Sequence, residues 1–378
     1  MILPELLTRD AWEVRRKPEI DEDDLWLSPG PVVWQAERFV RPPSFYPVYR
    51  CGDLYATGPL PLIVLKGALE LDPEIARLVR AEVRYVPSNA TIDRRVRRVG
   101  RPALSTLELT DPDTYVRELA AAMRSDLRRV EARCPGFTNL VLCGGRDSLN
   151  LLLLPWQNPV IAVSARPNFP LVQQFVRDNR LAIDVLELED RDASLLDSEI
   201  AVNACRTSLA HSRWNAELYA LARRFERRCI FWIGALADVF STPRWRTYHH
   251  SLWLARFRAL PGLRGLLRGE AGQSLFWWTC YYRGAMWQGC NMALLRELTD
   301  ALVLSAYHGP AMQELLGRVD LRSAVPDDIR PALGAALAGG PVVYPDTNPS
   351  PPPSTFRSGC SHLAAFLAVL ARHGLRPS

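Results

Sequence analysis

The spacing of apolar and polar positions changes near residue 110. Before it, short β-prone runs (Val32–Trp34, Tyr46–Arg50, Asp53–Thr57) are separated by proline and glycine and predict hairpins. Residues 1–30 are polar, with an acidic cluster from Glu19 to Asp24, and predict an irregular arm. Leu62–Leu71 and Pro73–Val79 read as short helices, and Val96–Glu108 as a further β segment. From Asp111 to Arg133 the rule becomes helical: Tyr115, Leu119, Met123 and Leu127 fall on one face, with Asp113 or Thr114 as cap. Pro135 and Gly136 end that helix.

Continuous apolar runs then alternate with amphipathic ones. Leu140–Leu142, Val160–Ser164, Leu181–Leu188 and Cys229–Ile233 have the texture of strands buried on both faces, while Phe169–Asn179 and Leu209–Arg228 have that of helices. This alternation predicts an α/β domain built on a doubly wound parallel sheet over 111–340, with ligands at the carboxyl ends of the strands. A smaller β-rich (α+β) domain over 1–110 precedes it. A proline-rich loop with a closing helix, His362–His373, fills 341–378. Trp245–Trp287 is rich in aromatics at helical spacing, which suits core packing, with a pocket for a peptide or an apolar acid as the other reading.

Composition narrows the classes. At 378 residues, 48% apolar and 23% charged, the chain has the length for two domains and too much apolar content for disorder. It has no apolar run long enough to span a membrane, and its start lacks the order of a signal peptide, so a cytoplasmic location is expected. Eight cysteines show neither zinc nor disulfide spacing. Lysine occurs only at Lys17 and Lys66. The arginine runs, with a net charge of +5, predict solvated faces rather than a nucleic-acid partner.

The stretch Asn139–Asn150 carries the candidate chemistry. An apolar strand ending at Leu142 runs into Gly144 and Gly145 and then a helix start. Glycines let backbone N–H groups approach a ligand, and a helix N-terminus favours an anion such as phosphate. Asp147 would repel bare phosphate, so its place there suits a divalent cation between carboxylate and phosphate oxygens. The alternative is an ordinary strand and turn with a solvated aspartate.

Cys143-Gly144-Gly145-Arg146-Asp147-Ser148 resembles the Ser-Gly-Gly-x-Asp-Ser pyrophosphate (PP) loop of the ATP pyrophosphatase superfamily. The surrounding chain, over about residues 45–335, is similar to the asparagine synthetase family, with its β-lactam synthetase and lasso peptide cyclase branches. The resemblance implies a PP-loop ATPase fold and activation of a carboxylate as an acyl-adenylate. It implies ATP and Mg²⁺ as cofactors, with nucleotide contacts from Leu142, Cys143, Gly144, Gly145, Arg146, Asp147 and Ser148, and with adenine near Val163 and Ser164. Gly234 opens a second loop in which Asp238 matches the family's second magnesium ligand, so Asp147 and Asp238 are the candidate metal pair. Asp238 as a helix cap is the competing reading.

Several positions depart from the family. Cys143 replaces the first serine, Leu236 the second glycine of the later loop, and Val239 the glutamate after the aspartate. The lysine that other branches carry near the end of this domain has no counterpart after Lys66. Arg322 or Arg330, in Leu321–Arg330, is the candidate for the missing charge, in an electrostatic role, since guanidinium does not readily give up a proton. Gln288–Leu304 resembles a family helix, with Arg296, Glu297 and Asp300 matching its polar pattern loosely. The N-terminal half resembles the latter part of the family's glutaminase domain but has Ile2 where an active enzyme needs a cysteine, so glutamine hydrolysis is not expected.

Two functions follow as expectations. One is an ATP-dependent amide-forming ligase acting on a small carboxylate or peptide, with a peptide-processing protein as a partner. The other is a degenerate family member that binds nucleotide or peptide without chemistry.

Overall fold

The computed structural model describes residues 12–20, 26–27, 32–40, 48–56, 61–62, 65, 84–86, 90–93, 95–99, 108–188, 215–243, 292, 295–296, 299 and 301–346. The aromatic stretch 245–287, residues 66–83 and the C-terminal helix lie outside these residues, and so do their sequence expectations.

The N-terminal part forms two small mixed sheets. One contains β1 (Glu13–Arg16), β3 (Val32–Gln35), β5 (Val48–Cys51), β6 (Leu54–Ala56) and β7 (Arg84–Val86) in the order β1-β3-β6-β5-β7. The other runs β2 (Glu19–Ile20), β4 (Arg38–Val40), β8 (Ala90–Asp93), β9 (Arg95–Val99). The expected hairpin forms between β5 and β6, where Gly52 at φ 62° supplies the left-handed turn conformation. The expected irregular arm is corrected: β1 pairs in parallel with β3 and β2 with β4, and Trp26 is buried in the core of the parallel-sheet unit. A polar edge strand is hard to recognise locally, because a partner far along the chain completes its ladder.

The C-terminal part is α/β. Its sheet holds β10 (Thr138–Leu142), β11 (Val160–Ala165), β12 (Asp184–Leu188), β13 (Cys229–Ile233) and β14 (Leu302–Ser305), all pairings parallel, in the order β12-β11-β10-β13-β14. Successive strands move outward from β10 to one side, and the chain then returns to add β13 and β14 on the other. The order therefore reverses between β10 and β13, and open α/β sheets bind ligands beyond the carboxyl ends of their strands at such a point. The helix expected over 288–304 is shorter than predicted, because Leu302–Ser305 forms β14 beside β13. A four-residue apolar run suits a helix or a strand equally until its neighbour is known.

Helix α1 (Pro112–Arg133) buries Tyr115, Leu119, Met123 and Leu127, the face that periodicity predicts. Its cap is Asp111, two or three residues earlier than expected, which accepts a hydrogen bond from the Thr114 backbone N–H at 2.8 Å. Proline at the first helical position is compatible with that start. A buried network fixes β10 beneath the site: Asn139 donates to Glu131 on α1 at 3.1 Å, Trp232 donates to Asn139 at 2.8 Å, and Glu131 also accepts from the backbone of Gln157 and Asn158. Among the described residues, no helix is long and apolar enough to cross a membrane.

Candidate functional site

The diglycine turn leads from β10 into a one-turn helix, α2 (Arg146–Leu149), followed by a 3-10 turn, Asn150–Leu153. Ser148 closes the turn: its Oγ accepts from the N–H groups of Gly144 at 3.0 Å and Gly145 at 3.3 Å and donates to the Gly145 carbonyl at 2.9 Å. Below it, the buried Ser164 hydroxyl donates to the Cys143 carbonyl at 2.7 Å. Val163 and Ser164, the candidate adenine contacts, are both buried under the loop. Leu142 is registered between Val163 and Ile233. Burial pushes the Cys143 thiol far above its usual range, so it is a neutral packing group rather than a nucleophile.

Gly144 is exposed, its φ lies outside the left-handed region, and a Cβ built on it meets nothing within 4 Å. Neither packing nor backbone conformation requires glycine here, and the open face suits close approach of a ligand. Gly234 differs: its Cβ would lie 3.1 Å from the Ser148 nitrogen and 3.3 Å from the Asp147 Cβ. The two loops are in contact there.

Behind Gly234, the second loop is held from three sides. Ser305 donates to the Ala235 carbonyl at 2.8 Å, Tyr115 to that of Phe240 at 3.0 Å, and the Ile329 N–H to that of Ser241 at 2.9 Å. Leu236 sits at φ 70° as the N-cap of the next helix, α5, after α3 (Phe169–Asp178) and α4 (Asn215–Arg224); α5 spans Ala237–Ser241. Asp238 is therefore a first-turn residue and not the cap. The position where the resembling family carries glycine does have the backbone conformation that favours glycine, and Leu236 occupies it by burying its side chain.

Asp147 and Asp238 thus lie in the first turns of the helices that follow two adjacent strands. Burial raises the Asp147 carboxyl above its usual pKa; the Arg330 charge opposes that rise, and the Asp238 charge adds to it. Two carboxylates that repel each other are suited to a shared cation. Among the described residues no group of three or more His, Cys, Asp or Glu side chains is placed to hold a metal ion.

After α6 (Pro310–Leu316) and α7 (Leu321–Ala324), α8 (Arg330–Ala338) begins at the lip of the site. Arg330 donates to Asp147 at 3.2 Å and twice to Asp328, at 2.8 and 2.6 Å. Burial pushes Asp328 up, but the Arg330 hydrogen bonds and charge outweigh it and hold the carboxyl below its ordinary range. The Asp328 hydrogen bond in turn is the main influence raising the Arg330 pKa, on a guanidinium that stays protonated in any case. Of the two candidate arginines, Arg330 meets the loop; Arg322 is exposed on α7, where Asp320 accepts from its backbone N–H at 3.0 Å.

Sequence reasoning missed three further residues. Asn150 donates to the Arg330 carbonyl at 3.0 Å, and the Tyr344 hydroxyl donates to Asn150 Oδ1. The Arg146 guanidinium lies 5.9 Å from the Tyr344 ring centroid, and Phe175 packs on the other contact of that ring at 5.5 Å. Asp328 completes the set. Tyr344 and Val343 pack on the α/β unit, with Val343 and Asn179 exchanging hydrogen bonds at 2.8 Å. Asn150 and Tyr344 had no sequence signal, because their partners are distant along the chain, while Asp328 pairs with Arg330 only two residues on. In comparisons with known proteins, no family model and no curated protein matches this chain.

Proposed function

We propose that the chain is an ATP- and Mg²⁺-dependent ligase that forms a carbon–nitrogen bond through an acyl-adenylate, on a PP-loop-type synthetase domain. The observation that carries this reading is the placement of Asp147 and Asp238 on either side of the sheet's reversal point, above a diglycine turn whose Gly144 face is open. The nucleotide would lie against Gly144–Ser148, with its phosphates toward α2. Mg²⁺, when bound, supplies charge neutralisation across the phosphates. A substrate carboxylate oxygen attacks the α-phosphorus and pyrophosphate leaves; an amine nitrogen then attacks the acyl carbon, AMP leaves, and the amine proton passes to solvent.

The chain's own residues orient and stabilise. Asp147 and Asp238 hold the cation, the loop backbone faces the phosphates, and Arg330 contributes a fixed positive charge where relatives would use lysine. The amine would come from the same molecule or a small partner, as in peptide cyclisation, rather than from the N-terminal part. That part would serve structure or recognition of the acceptor.

The test is pyrophosphate release from ATP with candidate carboxylates and peptides, in the wild type and in Asp147→Ala. The expected result is substrate-stimulated release that the substitution abolishes; equal rates would remove the reading. The Arg330–Asp147 pair favours a second reading, in which a residual site binds nucleotide without turnover, and calorimetry with ATP and Mg²⁺ separates the two.

A further inference from the structure

Arg330 is shared unequally between two carboxylates. It makes two side-chain hydrogen bonds to Asp328, whose Oδ1 also accepts from the Arg330 backbone N–H at 3.0 Å, and one longer bond, 3.2 Å, to Asp147. Its carbonyl is gripped from the other side by Asn150 at 3.0 Å and by the Tyr344 hydroxyl at 3.3 Å. Asn150 follows directly on α2, so the backbone of Arg330 is tied to the diglycine loop itself. The guanidinium has a firm anchor on Asp328 and a weaker, exchangeable contact on Asp147.

Resting on the nucleotide-binding reading, we propose that Arg330 is a built-in cation that competes with a divalent metal for Asp147, and that Asp328 is the positioning residue that retains Arg330 when it lets go. Arg330 gives up one hydrogen bond and keeps two, then turns its freed N–H toward the nearest anion, a nucleotide phosphate. Asp328 therefore keeps the charge at the lip of the site throughout, without compelling it to stay on Asp147. The arrangement places a positive charge beside Asp147, in a site where burial already disfavours a bare carboxylate.

The signature is a pair of opposite effects. Titration with Mn²⁺ alone, followed by electron paramagnetic resonance, should show Arg330→Gln binding the ion about tenfold more tightly than wild type, the equivalent of about 1.4 kcal/mol. The same variant should bind ATP with Mg²⁺ more weakly. Asp328→Asn should weaken Mn²⁺ binding, because Arg330 then leans wholly on Asp147, and Asp328→Glu should restore it. General damage to the site would weaken every ligand together. Unchanged or weaker Mn²⁺ binding by Arg330→Gln overturns the competition, as does the absence of Mn²⁺ binding in all variants. If Arg330→Gln fails to fold, the Asp328→Asn and Asp328→Glu pair decides. The nucleotide reading fails separately, by absence of ATP binding in the wild type.

Discussion

Gly234 lies so close to Ser148 that a side-chain carbon on the glycine would come within 3.1 Å of the serine's backbone nitrogen. The second loop is thus the back wall of the first, and the position of Asp147 depends on a missing Cβ on another strand's turn. Gly234→Ala must push the Asp147–Ser148 peptide by a few tenths of an ångström. The expected outcome is a folded protein destabilised by about 1–3 kcal/mol, as for other overpacked sites, with weakened ATP binding in calorimetry. Unaltered affinity would show that the two loops do not share a ligand.

Gly334 makes room for Tyr344. A Cβ there would fall 1.8 Å from the tyrosine hydroxyl and 2.9 Å from Asn150 Oδ1. Gly334→Ala should displace Tyr344 and cost about 1–3 kcal/mol in denaturant unfolding, the range for overpacking or a lost buried partner. Adding Tyr344→Phe removes the clashing oxygen, so the double variant should be more stable than the sum of the two single effects.

Leu236 holds a left-handed conformation at φ 70° while being buried. Glycine would relieve about 1–2 kcal/mol of backbone strain. It would also remove a core leucine, whose truncation typically costs about 2–5 kcal/mol. Leu236→Gly is therefore expected to lower the melting temperature, and a rise would mean that the side chain contributes little to the core.

Asp147 has a sign that runs against ordinary surface acids. Its carboxyl is raised by burial, so the folded chain takes up a proton there more readily than the unfolded chain. Its contribution to stability is complete below the ordinary carboxylate range and is lost as pH rises through the raised value. Asparagine mimics the protonated form, so Asp147→Asn should raise the melting temperature at neutral pH and make little difference in acid, while abolishing cation binding. Calorimetric melts at pH 4 and pH 7 check this; the same difference at both would show that the group titrates normally.

The site was partly legible in the chain. The glycine pair, Asp147, Ser148 and the apolar strand before them could be found from residues alone, because a turn after a buried strand needs those types within a few positions. Gly234, a glycine at a strand end, was visible for the same reason, whereas Asp238 was singled out only by the resemblance. Asp328 was not, since an acid two residues before an arginine looks like any solvated helix entrance. Tyr344 was hidden in a proline-rich segment whose composition suggested a loose tail.

Local rules thus determined strands β10, β11, β12 and β13, the amphipathic face of α1 and the diglycine turn, because backbone preference and burial period act over a few residues. Tertiary structure decided the rest. Strand order set Asp147 beside Asp238, and packing turned Leu302–Ser305 into a strand. Contacts 183 positions apart joined Arg330 to Asp147. Such pairings depend on which surfaces meet when the sheet closes, and no short stretch of sequence carries that information.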